Sequence, residues 1–148
     1  MNRFTVRLPA QCPAHEALGR VLDLRVHNQV IPLTTITPAR AFCELRPGSS
    51  FVARTAVGRF GFDDPMVVEH IGMVPGRAVA RLRKEGCAIR GQIRVDCRDT
   101  EDGGSTLTWH QDVHLPWWPR SLHWMATPVL RAGYRRVLRQ LLARPHGT

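Results

Sequence analysis

Lysine is almost absent from this chain. Of 21 basic residues among 148, Lys84 is the one lysine and the others are arginines. With 12 acidic residues the formal net charge is +9. That balance excludes an acidic disordered tail and an acidic buffer protein. No C-x-x-C pair links Cys12, Cys43, Cys87 and Cys97, so the clustered ligands of a structural zinc are missing. Cys87 and Cys97 flank one predicted strand and lie roughly 33 Å apart along it at ~3.3 Å per residue, too far to bridge. A reduced, mostly buried set of thiols is expected. No apolar run approaches the ~20 residues that span a bilayer. Residues Met1 to Leu8 lack the apolar core of a signal peptide. A cytoplasmic protein with no transmembrane segment is the expectation.

Several chemical signatures are missing as well. Gly58-Arg59-Phe60-Gly61 lacks the Lys-Ser/Thr step of a phosphate loop and precedes a strand rather than a helix. Gly48-Ser49-Ser50 is not a G-x-S-x-G nucleophile elbow. No dinucleotide fingerprint occurs, so no cofactor is expected. His110, Asp112 and His114 resemble a metal triad, but on a strand the two imidazoles stand roughly 13 Å apart. One zinc with ~2 Å bonds cannot join them, and no metal site is predicted.

What is present is a strand-and-helix rhythm. Residues Phe4 to Leu8 alternate apolar and polar and read as a strand ended by Pro9. Ala14, Leu18, Val21 and Leu22 recur at helical spacing behind Pro13. A second short helix, Leu24 to Ile31, stops at Pro32. From Leu33 to His114 turn signals separate short β-prone runs, the pattern of an antiparallel meander of six strands. In the run Cys87 to Arg98, Ile89, Gly91, Ile93, Val95 and Cys97 share one face. In the next, Leu107, Trp109, Gln111 and Val113 do so. The sheet therefore has one covered and one wet face. After Trp117 and Trp118 the chain turns helical to its end, with a long apolar stripe from Leu122 to Leu142. Pro128 either kinks this helix or begins a second one. No repeat, low-complexity tract or linker divides the chain, so residues 1–148 read as a single domain. At 43% hydrophobic, a chain of this length hides roughly 70% of its unfolded surface.

The segment Ala14-His15-Glu16-Ala17-Leu18-Gly19-Arg20-Val21-Leu22-Asp23, the run Gly58 to Val68, and Gly104-Ser105-Thr106-Leu107-Thr108-Trp109 resemble elements of the START-like superfamily. That group is also called SRPBCC and includes polyketide cyclases/dehydrases and lipid-transport proteins. The resemblance spans Phe4 to Leu142. It implies an α+β helix-grip fold: a curved antiparallel seven-stranded sheet wrapped around a long C-terminal helix, with two short helices after the first strand. Members include carriers, cyclases, hydrolases and sensors, so the resemblance speaks to ligand class rather than to one reaction.

In that fold the concave face of the sheet lines a cavity. Phe51, Thr55, Met66 and Val68 are then ligand-facing candidates, as are Leu82, Ile93, Leu107, Trp109 and Gln111. Ala126, Leu130 and Tyr134 join them from the last helix. Gln111 is the odd polar group in an apolar row and, buried, needs a hydrogen-bond partner. His70 falls on the Met66 side of its strand and is the first candidate for a general acid or base, because histidine titrates near neutrality. Tyr134, whose hydroxyl could orient a polar ligand end, is the second. A strand-end histidine near water and a tyrosine with a wet hydroxyl are the plainer readings. Asp63-Asp64-Pro65 reads as a turn, since adjacent strand carboxylates point to opposite faces.

Three functions compete. The first is binding of a hydrophobic small molecule, whether lipid-like, polyketide-like or aromatic. The second is a polyketide cyclase/aromatase in which His70 or Tyr134 acts as acid or base. The third is a non-enzymatic interaction module using the Arg patches or the Trp117, Trp118 and Trp124 cluster. Arg90, Arg94 and Arg98 form one patch, and Arg131, Arg135, Arg136 and Arg139 another. No nucleic-acid motif or interleaved aromatic row accompanies them, so no specific nucleic acid is expected as partner. Homodimerisation is left open.

Overall fold

In the computed structural model, which describes residues 2–144, seven strands form one antiparallel sheet. They are β1 (Asn2–Ala10), β2 (Thr34–Thr37), β3 (Ser50–Val57), β4 (Phe60–Val74), β5 (Arg77–Glu85), β6 (Arg90–Asp99) and β7 (Ser105–His114). Their spatial order is β1-β7-β6-β5-β4-β3-β2. Hairpins connect β2 through β7 in sequence, and β1 closes the far edge against β7. The period-2 pattern decides which face is covered. Phe4, Val6, Leu8 and Ala10 of β1 are buried while the residues between them are exposed. Leu107, Trp109, Gln111 and Val113 of β7 repeat this phase.

Pro9 does not end β1, which continues to Ala10 and pairs Pro9 with Thr106. An edge strand tolerates proline because half of its N–H groups have no neighbour to bond. Likewise Asp63, Asp64 and Pro65 lie within β4 rather than in a turn. The reversal falls earlier, between β3 and β4 around Gly58.

Two short helices follow β1. α1 (Ala14–Val21) has no side-chain cap of its own; the Asp99 carboxylate at the end of β6 accepts a hydrogen bond from Ala14 N–H at 2.6 Å. α2 (Leu24–Val30) is capped by Asp23, which accepts from Arg25 N–H at 3.1 Å. Leu18 and Val21 of α1 are fully buried against the sheet.

α3 (His123–Ala143) is one continuous helix with Pro128 inside it, so the proline does not start a second helix. Ala126, Leu138, Leu141 and Leu142 anchor it in the core. The predicted stripe is broader than the buried one, since Leu122 and Val129 are exposed. Trp117 and Trp124 are exposed too, while Trp118 is half-buried. Trp117 still ties the turn before α3 to the β5–β6 connection, donating its indole N–H to Ala88 O at 2.9 Å. Among the described residues no helix is long and apolar enough to cross a membrane.

On the outer face of the sheet, arginines are interleaved with acids. Arg77 and Arg98 meet Asp96, Arg3 meets Asp112, and Arg81 and Arg83 meet Glu69. Exposed pairs of this kind contribute at most about 1 kcal/mol each. Of the cysteines, Cys12 and Cys97 are buried and Cys43 and Cys87 exposed, all four as free thiols.

Candidate functional site

The concave sheet face, α2 and α3 line an open-mouthed cavity of ≈ 620 Å³. Its wall is largely apolar. Phe51, Thr55, Met66, Leu82, Ile93 and Trp109 reach it from the strands, and Leu130 and Tyr134 from α3. Val68, Leu107 and Ala126 are buried in the core but lie outside this lining. Gly133 leaves space where α3 faces the cavity, with nothing within 4 Å of the position a Cβ would take.

His70 sits elsewhere. The alternation that places Met66 and Val68 inward breaks at a β-bulge between Val68 and His70. Glu69 is the extra residue. It stays on the outer side, where Arg81 and Arg83 meet its carboxylate at 3.0 and 2.8 Å. A bulge shifts the phase by one, so His70 also faces outward and is exposed opposite Arg81. The alternation alone gives no sign of this.

Two polar residues that the pattern did not single out stand in the cavity instead. Asp64 on β4 and Lys84 on β5 are 6% and 4% exposed and form a buried ion pair. Lys84 follows Ala78, Ala80 and Leu82 on the inward phase of its strand. The signal was present in the sequence: the one lysine of the chain occupies a core position. Its ammonium also approaches Met66 Sδ at 3.7 Å. Burial alone would push the Lys84 pKa down. The neighbouring Tyr134 hydroxyl and the Asp64 carboxylate outweigh that and hold it above the ordinary 10.5. Burial pushes the Asp64 carboxyl up, opposed by Lys84. One oxygen, Asp64 Oδ1, is buried with no hydrogen-bond partner in the protein.

Tyr134 joins this pair to a second polar chain. The Trp109 indole N–H donates to Gln111 Oε1 at 3.0 Å, and Gln111 Nε2 donates to the Tyr134 hydroxyl at 3.2 Å. Indole nitrogen is only a donor, which fixes the Gln111 amide with its NH₂ toward Tyr134. The tyrosine oxygen therefore accepts, and its own proton is left to donate. Gln111 thus acts from behind the wall rather than on it. Phe4 and Trp109 hold the Tyr134 ring, with centroids 5.4 and 5.8 Å away.

His27 of α2 also lines the cavity. Its Nε2 lies 2.7 Å from Val21 O. A carbonyl can only accept, so the proton sits on Nε2 and Nδ1 carries the lone pair. Burial holds its pKa below the ordinary 6.5, against the Val21 bond and the nearby Asp23 charge. A histidine depressed in the folded state costs stability on acidification, because below 6.5 the unfolded chain binds the proton first. The melting temperature should therefore fall as the pH drops from about 7.5 to 5.5, and His27→Gln should flatten that slope. An unchanged slope in the variant would place the pH dependence elsewhere.

No protein-family model matches the sequence, and no curated protein matches it. Solved structures do resemble the fold. The STAR-related lipid transfer protein from Xanthomonas axonopodis superposes with a TM-score of 0.70 at 12% identity, covering 96% of this chain and 86% of that one. The human StarD13 lipid transfer and protein localization domain gives 0.66 at 11% identity, covering 97% and 78%. Ara h 8.0201 gives 0.61 at 10% identity, covering 97% and 99%. The chain thus has the helix-grip fold of these structures.

Proposed function

We propose that the protein binds a hydrophobic small molecule in the cavity between the sheet and α3. The carrying observation is the ≈ 620 Å³ apolar-walled space, a volume in the range of small-molecule sites. Two structures of the same fold, from Xanthomonas axonopodis and human, are lipid-transfer domains by name, which favours a lipid-like ligand. Apolar burial would supply most of the affinity at ~25 cal/mol per Å².

The test is titration of the protein with the neutral apolar dye N-phenyl-1-naphthylamine, followed by fluorescence. Saturable enhancement is expected, and Gly133→Phe should abolish it by filling the space beside α3. That variant removes a mid-helix glycine and should not lower the melting temperature. Dye that fails to bind, or binds the filled variant equally well, sinks the reading. A cyclase or aromatase reading rests on one observation, the Tyr134 hydroxyl at the cavity wall beside Lys84. Loss of water from a poly-β-ketone, measured by mass spectrometry with wild type and Tyr134→Phe, would separate turnover from binding.

A further inference from the structure

The other side of the sheet carries a groove of its own. Its volume is ≈ 340 Å³, and Arg7, Asp96, Arg98, Thr106, Thr108 and His110 line it. We infer that this groove binds a phosphate monoester as its dianion, gripped by Arg7 and Arg98 over a floor of threonine hydroxyls. The site is separate from the apolar cavity and independent of what that cavity holds.

Strand register builds the groove. β7 runs between β1 and β6, with Arg7 opposite Thr108 on one side and Arg98 opposite Thr106 on the other. The two flanking strands stand roughly 10 Å apart, so their long side chains can close on one anion above β7. Among the described residues neither threonine hydroxyl has a hydrogen-bond partner, and Arg7 has no acidic partner. Arg98 meets Asp96 only at 3.3 and 3.4 Å, whereas Arg77 holds the same carboxylate at 2.9 and 3.2 Å. Arg77 can thus keep Asp96 neutralised while Arg98 turns to a ligand. Arg7, Arg77 and Arg98 against Asp96 leave two positive charges, which match a dianion. Thr5 Oγ1 lies 2.8 Å from His110 Nδ1. When that hydroxyl donates, the imidazole proton sits on Nε2 and is left to donate to the anion.

The surrounding charge costs the fold stability rather than adding to it. Arg94 stands opposite Arg81 on β5 and beside His110 on β7, and like charges directly opposed across strands are destabilising. Among the described residues Arg94 has no acid to offset this. An anion in the adjoining groove would. The outward side chains of β1, β6 and β7 include no Phe, Tyr or Trp and, Pro9 apart, nothing apolar. Nucleic-acid bases would find no ring to stack on, and a bilayer no apolar side chain to take up. Guanidinium and hydroxyl donors gathered in one hollow suit a compact phosphate.

The experiment is a titration of the ¹⁵N-labelled protein with inorganic phosphate at pH 7.5, with sodium chloride at matched ionic strength as reference. Phosphate should shift the Arg7, Thr106 and Thr108 amides saturably, with a Kd of ~1 mM or below, and chloride should not. Arg7→Gln and Arg98→Gln should each weaken binding ~5-fold or more, and Thr108→Val ~3-fold. Arg59→Gln, in the exposed turn between β3 and β4, should leave it unchanged. Shifts that never saturate, or that chloride reproduces, overturn the inference, as does an Arg59→Gln loss equal to that of Arg7→Gln. Arg7 is exposed, so its variant should melt with the wild type, and the test stands even if Arg98→Gln does not fold. Sedimentation with phosphatidylserine vesicles that Arg7→Gln abolishes, in a protein that phosphate does not saturate, would assign the groove to a bilayer and overturn the inference too. Dye binding in the cavity is unaffected by any of these outcomes.

Discussion

Lys84→Met should destabilise the protein by about 3–5 kcal/mol, and Asp64→Leu combined with Lys84→Met should recover most of that loss. The single change leaves the Asp64 carboxylate buried without its counter-charge. Its Oδ1 already lacks a partner, so both oxygens would then be unsatisfied in an apolar wall. The double change removes both desolvation costs and leaves a methionine and a leucine among Met66, Leu82 and Ile93. Buried pairs replaced in this way are often neutral or better for stability. Urea unfolding of the wild type and three variants completes the cycle. A coupling energy near zero, with the double variant as unstable as the sum of the singles, would remove the argument.

Gly91→Ala is expected to cost at least about 3 kcal/mol, combining backbone strain with a clash no rotamer relieves. Gly91 in β6 has φ +146°, and an added Cβ would fall 1.7 Å from Asp112 O in the neighbouring β7. The obstacle is the backbone of Asp112 and Val113, so β7 cannot give way without breaking its ladder with β6. Gly103 supplies the control. Its φ is +83°, but nothing lies within 4 Å of the added carbon, so Gly103→Ala should cost only the left-handed strain of about 1–2 kcal/mol. Paired thermal melts decide the matter. Equal losses at the two positions would mean that β7 yields to the methyl group.

The fold was legible where periodicity ran without interruption. β1, β6 and β7 alternate cleanly, and the inward row Leu107, Trp109, Gln111 and Val113 is read directly from spacing. Legibility failed where one residue changed the phase or where polar character masked burial. The bulge at Glu69 turns His70 outward, and no local pattern announces an extra residue whose reason is two arginines on the next strand. Asp63-Asp64-Pro65 carries every sign of a turn, yet its register is set by pairing with β3 and by Lys84 twenty residues away. The polar centre of the cavity was therefore invisible as a cluster. Each member alone has an ordinary explanation, and only strand order brings Asp64, Lys84 and Tyr134 together. Pro128 shows the opposite case: packing of Ala126, Leu138 and Leu141 keeps α3 continuous despite a residue that disfavours helix interiors.

The scarcity of lysine acquires a practical meaning once Lys84 is located. A surface rich in guanidinium groups carries no side-chain amine, because the one amine of this kind lies inside the cavity. Reagents that acylate or reductively alkylate lysine would find no side-chain amine to modify on the exterior. Any such adduct on a side chain would report that the reagent had entered the ligand space, and a fall in that adduct on adding a ligand would report that the space had been filled. The protein thus contains its own one-site chemical label for occupancy, placed by the same strand that builds the wall.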